Sequence, residues 1–322
     1  MSTGELMNRR PIGQGPLAVT RVGLGCAPLG NLFAAVSDEA AADTVNSAWE
    51  CGIRLFDTAP LYGSGLSERR LGDALRGRPR NDFVVSTKVG RRLVPVADAD
   101  PTSIFVDAPR MRADFDFTRD GVLRSIESSL ERLQLDRIDI VHVHDPDDHV
   151  DVAIAGAFPT LITLRDEGVI GAVGCGMNHT APLQRFVAEV ELDVILLAGR
   201  YSLLDSSGGD ELLPACAERG ISVIIGGVFN SGLLADPDAN GTYDYAEAAT
   251  ETVQRARHFR EVCEGFDVTL PAAAIGFALR HPAVTSVLVG ARSRNEVVTD
   301  VTAAQAVIPD ELWPALGLGV HR

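Results

Sequence analysis

Eight short β-rich runs recur along the chain, and each is followed by a longer stretch with helical periodicity. The runs cover residues 19–25, 53–57, 83–88, 138–144, 170–174, 194–197, 223–225 and 286–289. Alternation of this kind predicts parallel strands joined by crossover helices. The helices are predicted near 39–50, 67–76, 118–133, 153–167, 181–190, 210–219, 247–264, 271–280 and 294–303. Eight strand–helix units are the count of a (β/α)₈ TIM barrel, an α/β fold. A doubly wound sheet would need fewer strands or a second domain, and no linker-like change of composition divides residues 1–322. One barrel domain over 1–322 also accounts for the length, because repetition of one unit lets 322 residues share a core. The longest stretch without a regular pattern, 89–117, follows the third run. A loop of that size in a compact domain is expected to serve function.

Charge and composition narrow the partners. Lys and Arg total 29 against 44 Asp and Glu, a net charge of −15. Such an excess repels phosphate backbones and anionic lipid, so neither nucleic acid nor a membrane is an expected partner. Cys26, Cys51, Cys175, Cys216 and Cys263 are widely spaced with no CxxC pair, which argues against a disulfide framework or a cysteine zinc site. The first twenty residues hold Arg9 and Arg10 but no apolar core of a signal peptide. No run of eighteen apolar residues occurs either. A soluble, cytoplasmic protein is the expectation.

Three consecutive runs stop abruptly on an ionisable residue: IRLFD at Asp57, FVVSTK at Lys88 and IDIVHVH at His144. In a parallel barrel these positions all reach the C-terminal mouth, so residues distant in sequence meet in one cleft. Tyr62 follows Asp57 by five residues, in DTAPLYG. Singly, each has a plain structural reading as helix cap, packed ring or satisfied core imidazole. Together they are the groups a proton-transfer site needs. A buried Lys88 requires a counter-charge, and Asp57 is placed to supply it. Lys88 is expected to lower the pKa of the Tyr62 phenol, and His144 to orient a substrate oxygen. The set holds no nucleophile and no electron carrier, so a redox step requires a bound cofactor.

These residues resemble the aldo-keto reductases. FDTAPLYG, STKVG and DIVHVHDPDD look like the family's Asp-Tyr-Lys-His tetrad, in order, as Asp57, Tyr62, Lys88 and His144. VGCGMN is similar to the segment ending in a cofactor-binding Asn, here Asn178. VFNSGLL and LVGARSRNEV resemble the segments that clasp the cofactor's diphosphate and adenosine end. The resemblance, spanning roughly 22–300, thus implies cofactor contacts at Cys26, Asp57, Asn178, Phe229, Ser231, Gly232, Leu233, Gly290, Arg292, Arg294 and Glu296. It implies hydride transfer between a nicotinamide nucleotide and a carbonyl or alcohol, and no metal.

Two departures carry information. Ala198 stands where the family usually has Gln, and Gly226-Gly227 where it stacks an aromatic ring on the nicotinamide. Both features, with AGRYSLLD and GGVFNSG, resemble the branch of aldose 1-dehydrogenases that oxidise sugars such as L-fucose and D-arabinose to lactones. Pyridoxal 4-dehydrogenase resembles the chain in the same way, and a general aldehyde or ketone reductase of the family is a further alternative. A sugar or aldehyde is therefore the expected small-molecule substrate. Arg292 or Arg294 could meet the 2′-phosphate of NADP, whereas Glu296 suits the free ribose of NAD, and the balance leans to NAD. VGLGCAPLG fails the Rossmann spacing and reads as a turn at the barrel mouth. HVH at His142 and His144 offers a distant alternative, a metal-dependent barrel hydrolase, since alternate strand residues share a face. A non-catalytic nucleotide-sensing subunit is another.

Overall fold

The computed structural model describes residues 8–98, 100, 102–239 and 241–318. Within them the eight predicted runs appear as parallel strands that close on themselves. In order around the barrel these are Val22–Gly25, Leu55–Asp57, Val84–Val89, Ile140–His144, Ala172–Met177, Val194–Ala198, Ser222–Gly226 and Val284–Gly290. The last pairs with the first, Val287 opposite Val22 and Gly290 opposite Gly25. This is the (β/α)₈ barrel.

Strand alternation decides which side chains face inward. Leu55, Val84, Ile140, Ala172, Val194, Ile224 and Leu288 form an apolar cluster inside the barrel. Their chain neighbours Phe56, Val85, Val141, Val173, Ile195, Ile225 and Val289 point outward into the larger core beneath the helices. Two residues further along each strand the inward position recurs, nearer the C-terminal mouth. There it falls on Asp57, Ser86 and Lys88, and His142 and His144, in the second to fourth strands. In the first, seventh and eighth it falls on the terminal glycines Gly25, Gly226 and Gly290. The barrel interior is thus apolar below, and above it is polar on one side and bare on the other.

The N-terminal end is closed by a hairpin, Arg9–Pro11 against Ala18–Thr20, whose Ile12 and Val19 join the interior cluster. The predicted first strand 19–25 is therefore two strands. Thr20 breaks it: its hydroxyl donates to the Val22 carbonyl (2.7 Å) and accepts from the Arg54 amide (3.2 Å), bending the chain at Arg21. The irregular stretch 89–117 also contains order, a hairpin of Arg91–Pro95 paired with Met111–Phe115. Its strands are half-buried and charge-rich, so they lack the apolar run that marks barrel strands. A second small pair, Thr242–Tyr243 with Ala246–Glu247, lies beyond the seventh strand.

The helices follow their predicted spans with ordinary caps. Ser37 caps Asp38–Glu50, Thr118 caps Arg119–Leu133 and Thr269 caps Leu270–Leu279, which carries Pro271 in its first turn. The helix predicted at 153–167 opens instead with a widened turn, Ala153–Ala157, before Phe158–Asp166. Pro159 has no N–H to give, so the regular ladder is interrupted there. Among the described residues no helix is long and apolar enough to cross a membrane.

Candidate active site

Asp57, Lys88, Tyr62 and His144 meet at the C-terminal mouth. The Lys88 ammonium donates to Asp57 Oδ2 (2.7 Å) and to the Thr58 carbonyl (2.8 Å). Ser86 donates to the other Asp57 oxygen at 2.8 Å. Both charged side chains are almost wholly buried. An ion pair so placed is tolerable only because its polar atoms find partners.

Tyr62 arrives on the turn that leaves the second strand. The Lys88 ammonium lies 4.7 Å from its ring centroid, and the His144 ring stands edge-on to it at 6.0 Å. The turn is held by close backbone packing. Gly63 has φ +60°, and a Cβ there would lie 2.3 Å from the Gly30 carbonyl oxygen. Gly63→Ala is therefore expected to destabilise the fold by about 1–3 kcal/mol and to slow turnover by displacing Tyr62. Thermal denaturation and steady-state rates check this; wild-type values in both would show that the contact does not position the ring.

The electrostatics correct one expectation. The Tyr62 phenol is pushed well above its usual range by burial first and by the Asp57 charge second. Lys88 does not offset these effects, its ammonium being taken up by Asp57 and Thr58. Tyr62 is a protonated phenol at neutral pH. Burial, and then Lys88, hold His144 well below the ordinary imidazole value, so it is neutral. Its Nε2 lies 3.5 Å from Asp145 Oδ2, and among the described residues its Nδ1 has no hydrogen-bond partner.

His142 sits one layer below, buried, with both ring nitrogens lacking a hydrogen-bond partner among the described residues and its pKa lowered to about 3 by burial and Lys88. It fills the space opposite Gly174, where a Cβ would lie 2.2 Å from His142 Nδ1. Among the described residues no group of three His, Cys, Asp or Glu is placed to hold a metal ion.

A cleft of about 410 Å³ runs outward from Asp57 and Tyr62, within the size range of small-molecule sites. Asn178, Phe229, Ser231, Gly232, Gly290, Arg292 and Glu296 line it, as do Ala198, Gly226 and Gly227. Cys26 and Leu233 do not reach it; both are buried in the core under the helices. Arg294 also stays off the wall, pairing with Asp43 (3.3 Å) and Glu50 (3.0 Å) on the neighbouring helix. Of the loop phenylalanines, Phe105 lies 6.0 Å from the Tyr62 ring, whereas Phe115 and Phe117 pack on each other and on His149.

Among the cleft residues that sequence reasoning missed are Phe33, Asn230, Tyr245 and Asp300. Tyr245 sits in a two-residue turn at φ +64°, approaches Phe33 at 6.3 Å between ring centroids, and shares a hydrogen bond with the Asn178 side chain. Loop aromatics of this kind carry no periodic signal. Asp300 did have one, since it lies four residues beyond Glu296 on the helix Arg294–Ala304. Burial, with Glu296 nearby, raises its pKa to about 7.

The profile of the aldo/keto reductase family matches residues 21–316. The chain belongs to that family. It is an oxidoreductase that works with a nicotinamide nucleotide, as aldo/keto reductases do. Among curated relatives, a D-threo-aldose 1-dehydrogenase of a Pseudomonas species is 44% identical over 93% of this chain and 94% of its own. A pyridoxal 4-dehydrogenase of Microbacterium luteolum is 40% identical over 96% of both chains. An aldo-keto reductase of Bacillus halodurans, solved in its holo form, superposes with a TM-score of 0.76 at 28% identity, covering 97% of this chain and 95% of its own.

Proposed function

We propose that this aldo/keto reductase oxidises the anomeric carbon of an aldose, of the L-fucose or D-arabinose kind, to the lactone. The observation that carries the reading is the set of Tyr62, His144 and the Lys88–Asp57 pair at the inner end of a cleft lined by Asn178. The 44% identity to an aldose 1-dehydrogenase supports the substrate class. A second reading, pyridoxal, is favoured by the 40% relative and shares the chemistry, since pyridoxal too forms a cyclic hemiacetal.

In oxidation the hydroxyl on the anomeric carbon gives its proton to the Tyr62 oxygen. The C–H bond breaks with its electron pair, and the C–O single bond becomes a carbonyl. Neutral His144 orients the reacting oxygen, and Lys88, paired with Asp57, stands 4.7 Å from the Tyr62 ring centroid. The nicotinamide nucleotide, when bound, accepts the hydride. The cleft fits such a group: Gly25, Gly226 and Gly290 leave it room, and the buried Asn230 Oδ1 on its wall has no hydrogen-bond partner among the described residues. Asn178 would hold the carboxamide, Phe229, Ser231 and Gly232 the diphosphate side, and Gly290, Arg292 and Glu296 the adenosine end.

The acids on that wall favour NAD. The Arg292 guanidinium lies 3.8 Å from Glu296, whose other oxygen accepts from the Arg292 amide at 2.8 Å. Arg294 is engaged by Asp43 and Glu50, and Asp300 adds a further carboxyl to the cleft. A 2′-phosphate would meet acids, whereas a ribose diol can donate to them. An absorbance screen at the reduced-nicotinamide band tests both points, using L-fucose, D-arabinose, L-galactose and pyridoxal with each nucleotide. At least one aldose is expected to be oxidised, with kcat/KM about tenfold or more higher for NAD, a difference of about 1.4 kcal/mol. Glu296→Gln is expected to narrow that gap. Turnover of pyridoxal alone would move the reading to the second substrate, and a preference for NADP would overturn the nucleotide assignment.

A further inference from the structure

We propose that Asp145 is a substrate-recognition residue whose carboxylate accepts a hydrogen bond from the hydroxyl on the carbon next to the reacting one. The site would thereby select polyhydroxylated substrates over their deoxy analogues. The proposal rests on the aldose reading and assigns it a specificity-determining group.

Asp145 directly follows His144 and leaves the fourth strand at φ +41°. That region is uncommon for residues other than glycine, although Asp and Asn are enriched in it, and such conformations gather at functional sites. Its amide donates to the Gly176 carbonyl at 3.0 Å, which ties the turn to the fifth strand. The side chain is tethered as well. Arg91 Nη2 donates to Asp145 Oδ2 at 2.9 Å, while the Arg91 guanidinium lies 4.9 Å from the Phe115 ring centroid. The hairpin over the mouth therefore fixes the direction of this carboxylate.

Three features point this group at substrate. Its contacts with Arg91 and His144 both fall on Oδ2, and among the described residues Oδ1 accepts no hydrogen bond. The side chain is 25% exposed, so it is not sealed in the core. It also lies beside the reacting centre: Oδ2 is 3.5 Å from His144 Nε2, and its charge is felt at Tyr62 and Tyr245. The separation from His144 is comparable with that of oxygens on adjacent carbons. With the reacting oxygen on His144 and Tyr62, the next hydroxyl of a sugar comes within reach of Asp145. Burial raises the Asp145 pKa and Arg91 opposes the rise; in its ionised form the carboxylate can only accept hydrogen bonds, so it rewards a neutral donor-rich polyol and offers nothing to a methylene. Sites built to bond a hydroxyl reject analogues that lack it far more strongly than apolar pockets reject an extra methylene.

The test compares D-arabinose with 2-deoxy-D-ribose, the same sugar without its C2 hydroxyl. The wild-type protein is expected to favour D-arabinose at least tenfold in kcat/KM, the weight of one hydrogen bond to a charged group. Asp145→Asn, which suits the left-handed backbone, is expected to bring that ratio close to one while nucleotide affinity by fluorescence titration stays within about twofold of wild type. Arg91→Met removes the tether without touching the carboxylate and is expected to lower the ratio in the same direction. An unchanged ratio in Asp145→Asn, or equal losses for both sugars, would overturn the proposal while leaving the aldose reading standing. A wild-type protein that oxidises no aldose would overturn the reading and the proposal with it.

Discussion

Tyr62→Phe is expected to lower the rate of hydride transfer by about 10²–10⁴-fold while nucleotide affinity stays near the wild-type value. The hydroxyl is the only part of the side chain removed, and the ring packing against Lys88, His144 and Phe105 is retained. Stopped-flow absorbance gives the rate, and quenching of protein fluorescence gives the affinity. The same residue sets the pH dependence. Its pKa is raised, so the phenol keeps its proton throughout the neutral range. Oxidation consumes the deprotonated form, so its rate should climb with pH through neutrality and into the alkaline region. Reduction uses the protonated form and should stay level across neutrality, falling only where the phenol begins to ionise. Tyr62→Phe should flatten the rise in oxidation. A variant that oxidised sugar at the wild-type rate would place proton transfer on another group.

Asp57→Asn is expected to be the most destabilising single change at the site, about 3–5 kcal/mol. Lys88 would then carry its charge at 1% exposure, with the Thr58 carbonyl but without its counter-ion. Chemical denaturation measures the loss. The double variant Asp57→Asn, Lys88→Met removes the stranded charge and should recover most of the stability, yet none of the activity. That split separates the pair's structural contribution from its chemical one. A single variant as stable as wild type would mean that Lys88 sheds its charge, or reaches water, more readily than its surroundings indicate.

Much of this site could be read before any coordinates, because strand geometry is a two-residue code. In IRLFD, VVSTK and IVHVH the inward positions alternate with outward ones, and closure of the barrel then brings Asp57, Lys88 and His144 together. What stayed hidden has equally physical causes. The direction of Arg294 depends on helix phase: residues 296 and 300 face the cleft, whereas 294 turns to Asp43 and Glu50. Tyr245 and Phe33 meet across the cleft from loops with positive φ, conformations that no hydrophobic pattern announces. The proton affinity of Tyr62 was misjudged because proximity to a cation was legible but saturation of that cation was not. The charged hairpin at Arg91–Pro95 and Met111–Phe115 escaped notice because half-buried strands at a barrel mouth alternate weakly.

The three terminal glycines of the first, seventh and eighth strands lead to a different kind of expectation. A Cβ at Gly25, Gly226 or Gly290 would come no nearer than 3.6, 3.2 and 3.5 Å to protein atoms, respectively. The framework has room for a methyl group at Gly25 and Gly290, while at Gly226 the Leu196 side chain would have to give by a few tenths of an ångström, and the cleft is what would be lost. Capacity for a dinucleotide is written here as omitted atoms. Alanine variants at Gly25 and Gly290 should therefore pass a screen for expression or heat resistance and still starve the enzyme of its hydride carrier.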